Sequence, residues 1–353
     1  MGKNDPGMLP GSSFFYFVGD IIMPKNSCSK KNQVRIHTTT LKSGISRSKE
    51  FERKGLAEFS VNIGTKCGHD CLYCSTGAVL RMHESFKNNA ENPYGFGYEI
   101  LDPETPDRIA KDAIRIRNRG LVQVCTTVDA WSPGAQKYVL GRRCLEAILA
   151  QPEWTVRVLT KNAAVKDDFD LIEKHRDRVI VGLSLTTTPK NEQVMKIIEP
   201  NASSIQERMD TLNEAKKRGL RTFAMLCPLL PGIADSPNQI DELVKYSVKN
   251  NAEEIYVEPV NHRGTGLKHC QDALEKEGFL KEAEEIKKIR RRQRWSEYVL
   301  DLLRNTQKSV RRHSDIRKLK FLLYPSNLLI EHLREIKNDD AGVIWLNKKP
   351  LHA

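Results

Sequence analysis

Cys67, Cys71 and Cys74 fall within one short run, Cys67-Gly68-His69-Asp70-Cys71-Leu72-Tyr73-Cys74, directly after an apolar, strand-like stretch. Three thiols at CxxxCxxC spacing can converge on one metal centre. Structural zinc and iron–sulfur sites normally take four protein ligands. With three, one metal position stays open, and an open iron points to chemistry on a bound molecule. The alternative is a zinc site completed by His69. That residue lies between the first two cysteines, where a tight loop disfavours its folding back onto the same ion.

The elements that must position this loop follow from residue periodicity. Strand-like runs occupy Ala57–Thr65, Leu121–Thr127, Thr155–Lys161, Val179–Thr187, Leu220–Pro228 and Glu254–Val260. Helix-like stretches separate most of them, at Gln136–Ala150, Asp168–Arg176, Ser203–Arg218 and Asn238–Lys249. Gly219 after Lys216-Lys217-Arg218 is a helix stop, a basic last turn followed by a residue that tolerates the left-handed conformation. Alternating strands and helices predict an α/β fold, a partial (β/α)6 TIM-like barrel of parallel strands joined by right-handed crossovers. No GxGxxG follows the first strand, which argues against a dinucleotide-binding sheet. Barrel active sites lie at the C-terminal ends of the strands, and the cysteine loop follows the first strand at that edge.

The flanks differ in character. Residues 1–56, rich in Gly, Ser, Lys and Thr, read as an N-terminal extension, partly flexible; 57–265 read as the core; 266–353 read as a basic, mainly helical C-terminal region. That last region carries Lys287-Lys288-Ile289-Arg290-Arg291-Arg292-Gln293-Arg294-Trp295, then Arg311-Arg312-His313 and Arg317-Lys318-Leu319-Lys320. Strand-like Phe321–Tyr324 and Val343–Leu346 follow. The net charge is +12, which favours polyanions as partners. Composition excludes a disordered or membrane-embedded chain: 39% of residues are hydrophobic, 29% are charged, and no run reaches a membrane span. The apolar patch from Phe14 to Met23 is interrupted by Gly19 and Asp20 and has no basic leader, so no signal peptide is expected. Eight cysteines are scattered along a long chain and only three show ligand spacing, which fits a reducing cytoplasm rather than a disulfide framework.

A strand followed by CxxxCxxC at the head of a β/α chain resembles the radical S-adenosylmethionine (SAM) superfamily. Val158-Leu159-Thr160-Lys161, Val181-Gly182-Leu183-Ser184-Leu185-Thr186-Thr187, Ile198-Glu199-Pro200 and the segment from Pro228 to Gly232 resemble the spore photoproduct lyase-like family, over roughly residues 58–262. The resemblance implies a [4Fe–4S] cluster on Cys67, Cys71 and Cys74, with SAM completing the fourth iron and yielding a 5′-deoxyadenosyl radical that abstracts hydrogen from the substrate. It implies a reducing partner such as flavodoxin or ferredoxin.

It also assigns residues. Cys125, in Val124-Cys125-Thr126-Thr127-Val128-Asp129, stands where those lyases carry a Cys-Thr-Ser-Asp run, and so is the implied hydrogen-atom donor. Tyr73 matches one of their two tyrosines, and Ser75 replaces the other. Thr127, Lys161 and Ser184 are the implied SAM contacts, with Glu199 accepting from SAM or orienting a lysine. The extra Val128 and the missing tyrosine are departures that bear on thymine-dimer repair rather than on SAM cleavage.

The expected activity is lyase-like radical chemistry on nucleic acid, DNA favoured, as lesion repair or modification. The basic tail would contact phosphates, with Trp295 or Tyr298 stacking on an exposed base. Two rivals stand beside it: a radical SAM enzyme acting on a protein or small molecule, and a non-catalytic metal-containing nucleic-acid-binding protein.

Overall fold

Short runs rich in Val, Ile and Leu that are buried on both faces suit a parallel sheet covered by helices. The computed structural model describes residues 34–262 and 264–346. Part of the extension expected over 1–56, including the apolar patch at 14–23, lies outside the described residues. In chain order the strands are β1 (Arg35–Thr38), β2 (Ser46–Arg47), β3 (Phe59–Val61), β4 (Gly64–Lys66), β5 (Tyr98–Leu101) and β6 (Leu121–Val124). They continue as β7 (Thr155–Thr160), β8 (Val179–Ser184), β9 (Arg221–Leu229), β10 (Ala252–Pro259), β11 (Leu319–Leu323) and β12 (Val343–Trp345).

The protein is a mixed α/β fold built on a nine-stranded sheet of order β12-β11-β10-β9-β8-β7-β6-β3-β2. Every pairing in it is parallel except β2 with β3. The six strands expected from the sequence are its consecutive members from β3 to β10. β11 and β12 extend the same sheet, so the C-terminal region adds strands to it as well as helices. β1, β5 and β4 form a separate three-stranded sheet. No helix among the described residues is long and apolar enough to cross a membrane.

Two departures from the sequence reading have local causes. The strand expected over 57–65 is two strands in different sheets. Its middle residue Asn62 turns its amide to the 126–127 backbone, while Ile63 O accepts from Asp102 N at 2.7 Å. Gly64 then passes so close to Ile100 that no Cβ would fit, which seats β4 on β5. The helix expected over 136–150 is likewise two, Pro133–Lys137 and Leu140–Leu149, broken at Val139 with φ 53°. Restarting there lets Gly141 lie flat against the Trp131 indole. Other signals read as expected: Ile205–Lys217 begins with a Ser204/Glu207 capping box and ends before Gly219 at φ 67°.

Side chains alternate along each strand, so the sheet has two faces with different cores. One face carries the large cluster under the helices, including Val122, Val124, Val156, Val158, Val181 and Leu183. The other carries a smaller cluster: Ile180, Phe223, Met225, Tyr256 and Leu322, with Leu159 and Cys227 packed against it. Full burial of each such side chain contributes about 1.5–3 kcal/mol. This second face becomes polar toward the C-terminal ends of the strands, and there it borders the site.

Candidate functional site

The cysteine loop leaves β4 and is clamped from the far side by the 198–201 segment. Leu72 N donates to Ile198 O at 2.9 Å, and Asn201 Nδ2 donates to Gly68 O at 2.9 Å. Gly68 packs against the Glu99 carboxylate with no room for a Cβ. Cys67, Cys71 and Cys74 line one small cavity of about 50 Å³, with Asp70, Thr76, Thr127, Phe96 and His269 around them. Burial pushes the Cys67 thiol up and brings Cys71 to about 12, so metal coordination is what would remove their protons.

Among the described residues no three His, Cys, Asp or Glu side chains stand at single-ion spacing. A cubane places its thiolates on separate irons and does not ask them to meet around one ion. Three thiols from one loop around one concavity fit that donor set. His69 does not line the cavity. It is buried with Nδ1 3.4 Å from Asp129 Oδ2, and burial lowers the pKa of its imidazole against the pull of that carboxylate.

A second cavity, of about 410 Å³, lies on the polar end of the inner face, the sheet face that carries the smaller cluster. Thr76 and Thr127 wall both cavities, and Thr76 Oγ1 donates to Thr127 O at 3.0 Å. Lys161 and Ser184, at the ends of β7 and β8, line this second cavity together with Gln123, Met225, Cys227, Glu258 and Trp295. Thr127, Lys161 and Ser184, the implied SAM contacts, thus all line this one cavity. Lys161 Nζ reaches Cys227 O at 3.5 Å and sits 5.8 Å from the Tyr73 ring centroid.

Other candidates fall elsewhere. Glu199 is buried and lines neither cavity; Arg208, Tyr73 and Thr186 all donate to its carboxylate. Burial alone would raise its pKa, but Arg208 and Lys161 hold it below the ordinary value. Tyr73 is therefore a hydrogen-bond partner of Glu199, with burial raising its phenol. Cys125 is 2% exposed, lies in the core beside Cys144, and lines neither cavity. Tyr298 is not available to stack on a base: its hydroxyl donates to Leu229 O and accepts from Val260 N at 3.2 Å. Trp295 is also buried and forms cavity wall rather than an exposed platform, its ring 4.9 Å from that of His262.

Several structural supports were missed. Asn62 holds the shared wall, its Oδ1 accepting from Thr126 N at 3.0 Å and Thr127 N at 2.8 Å. Asp129 accepts from Trp131 N, Thr160 Oγ1 and Lys161 N at 2.8–2.9 Å, tying the ends of β6 and β7 to the His69 loop. Arg208 is fully buried against Glu199. Its signal was present: Arg208 shares a helix face with Ile205, Leu212 and Ala215, and an arginine on a core face calls for a carboxylate.

Comparison with known proteins agrees with this geometry. Residues 61–246 match the family model described as the Radical SAM superfamily. The chain is 27% identical over 231 residues to the uncharacterized protein ORF301 of Acidianus two-tailed virus, covering 61% of this chain and 71% of that one. It is 25% identical over 179 residues to the uncharacterized protein MJ0683 of Methanocaldococcus jannaschii, covering 51% and 63%. Among solved structures, a spore photoproduct lyase variant superposes with a TM-score of 0.55 at 14% identity, covering 80% of each chain, a likeness of fold.

Proposed function

The chain belongs to the radical SAM superfamily, and on that premise we propose that it uses a [4Fe–4S] cluster and SAM to start radical chemistry on a nucleic-acid base, DNA favoured. The observation that carries this reading is the shared wall: the three-thiol cavity and the larger cavity have Thr76 and Thr127 in common. When bound, the cluster and SAM supply one-electron cleavage of a sulfonium and a strong hydrogen-atom acceptor.

The chain's own residues do the rest. Cys67, Cys71 and Cys74 would hold the cluster. The Lys161 ammonium would pair with the methionyl carboxylate, and Ser184 and Thr127 would hydrogen-bond the ligand. Asp129 and Asn62 fix the backbone that presents Lys161 and Thr127. We infer that β3 and β6–β10 curve as a partial barrel around the larger cavity. A reducing cytoplasm and a donor such as flavodoxin or ferredoxin belong to the same reading.

The nucleic-acid reading draws support from the position of the basic block. Exposed Arg290, Arg291, Arg292 and Arg294 adjoin Trp295, which walls the cavity. A cavity of about 410 Å³ suits one small ligand or one base turned out of a helix. A second reading, a protein or small-molecule substrate, draws support from the pairing of the basic tail. Lys287, Lys288, Arg294, Arg311, Arg312 and Arg317 each face a nearby carboxylate.

Anaerobic reconstitution with iron and sulfide, followed by a SAM cleavage assay, tests the chemistry; bound zinc without 5′-deoxyadenosine would sink it. DNA affinity that falls steeply with salt supports the nucleic-acid substrate, and absence of such affinity favours the second reading.

A further inference from the structure

Eight cysteines raise the question of which thiol faces the reaction space. Cys125 does not: it is in the core and lines neither cavity. Cys227 does. It lies on β9, two residues beyond Met225 on the inner face, is half-buried, and lines the larger cavity with Lys161 and Ser184. Its Sγ–H donates to Glu258 Oε2 at 3.6 Å, a sulfur hydrogen bond. The other carboxylate oxygen of Glu258 is 3.5 Å from Lys54 Nζ, and Lys54 is itself 3.7 Å from Glu50. Lys54 therefore anchors one oxygen of Glu258 and leaves the other for the thiol.

Two further observations say that this cavity takes a ligand. Among the described residues Gln123 Oε1 and Trp295 Nε1 are buried with no hydrogen-bond partner, and both residues line the cavity. Both residues are buried, at 1% and 6% exposed. Leaving such groups unpaired costs about 1–3 kcal/mol each, which a ligand with a complementary donor and acceptor would recover.

We propose that Cys227 is the hydrogen-atom donor of the cavity, and that Glu258 is the positioning residue that aims its S–H bond. This rests on the radical reading above. A hydrogen-atom donor must carry its hydrogen. The Glu258 carboxylate accepts from S–H, and burial together with that negative charge pushes the Cys227 thiol well up, so the thiolate is disfavoured. An S–H bond is weaker than most C–H bonds, so transfer to a carbon radical is downhill. In the step, the S–H bond breaks and a C–H bond forms. Carbon gains one hydrogen atom, and sulfur is oxidised by one electron to the thiyl radical. The thiyl returns to thiol by taking one electron from a low-potential one-electron reductant of the class that charges a [4Fe–4S] cluster, and one proton from solvent.

The test needs no identified substrate. Reconstituted protein is given SAM and dithionite in D2O, and the 5′-deoxyadenosine formed is analysed by mass spectrometry. The native protein should place solvent deuterium, carried by Cys227, in the 5′-methyl group. In Cys227→Ser the deuterated fraction should fall about tenfold, since each 1.36 kcal/mol added to the transfer barrier is tenfold in rate. An unchanged fraction in Cys227→Ser, or a loss seen in Cys125→Ser instead, overturns the assignment while leaving the radical reading intact. No 5′-deoxyadenosine from native protein overturns the radical reading and this inference with it.

A second readout is independent of turnover. The infrared S–H stretching band assigned to Cys227 by difference from Cys227→Ser should shift in Glu258→Gln, and should shift when SAM is added. A band that moves in neither case removes the thiol from the cavity.

Discussion

Arg208 and Glu199 are each 1% exposed and face each other inside the molecule, so removing one partner strands the other. Arg208 also donates through Nε to Ser203 O at 2.8 Å and through Nη1 to Ser184 O at 3.1 Å. Arg208→Met keeps much of the side-chain length but leaves the Glu199 carboxylate, among the described residues, with the Tyr73 and Thr186 hydroxyls as its donors. Breaking a buried ion pair costs about 3–5 kcal/mol. For a chain of this length the unfolding entropy is roughly 0.7 kcal/mol/K, so the midpoint of thermal unfolding should fall by about 4–7 °C. Differential scanning calorimetry of the purified protein reads this directly. The double variant Arg208→Met/Glu199→Gln should recover more than half of the loss, because the neutral amide no longer needs a counter-ion. A single variant within about 1 °C of the native protein would refute the reasoning, as would a double variant no better than the sum of the singles.

Three other outcomes follow from the geometry. Cys67→Ala, Cys71→Ala and Cys74→Ala should each lose most of the iron and acid-labile sulfide after reconstitution, measured by colorimetric analysis against native protein. Asn62→Ala removes a side chain that accepts from both Thr126 N and Thr127 N. At about 1 kcal/mol for each of two lost bonds, SAM affinity should weaken by roughly tenfold or more in equilibrium dialysis. Burial raises the Glu99 carboxyl to about 7, despite hydrogen bonds from Gly134 N and Ser132 Oγ that favour ionisation. A carboxyl raised from its unfolded value contributes stability that is present below about pH 4.5 and lost as pH rises through about 7, roughly 3 kcal/mol in all. Urea unfolding of Glu99→Gln should show a flatter dependence over that window than native protein does.

The parallel order of six strands was legible because each is a short apolar run and helix-like stretches separate most of them. The cysteine loop was legible because its ligands are contiguous. What sequence hid is what depends on where alternation stops. Gln123 on β6 points inward, and two residues on, Cys125 would also point inward if the strand continued. β6 ends at Val124, the rule lapses, and the thiol falls into the core beside Cys144. β9 runs on to Leu229, so Cys227 keeps the inward phase of Phe223 and Met225. A strand end is set by long-range pairing, and that is not readable from local residue types. The side sheet was hidden for the same reason: β4 is seated by β5, more than thirty positions downstream.

The closed end of the inner face explains why the larger cavity and the cysteines share one edge. Alternation places Arg157, Phe223 and Tyr256 on the same face as Lys161, Cys227 and Glu258, but nearer the start of their strands. The Arg157 guanidinium lies 4.6 Å from the Phe223 ring centroid and 5.4 Å from that of Tyr256, with Nη2 2.8 Å from Glu254 Oε2. Gly182 leaves its place in the row to the Phe223 ring, where a Cβ would collide. Aromatic faces and one carboxylate together hold the buried cation, at about 2 kcal/mol or more for each desolvated cation–π contact. This layer fills the floor, so a ligand entering the inner face is stopped at the C-terminal ends of β7 to β10. There it meets Lys161, Ser184, Cys227 and Glu258 on one side and the Thr76–Thr127 wall on the other, with the three thiols directly behind that wall. In the proposed reading the floor thus does as much as the cysteine loop to decide where the chemistry would occur.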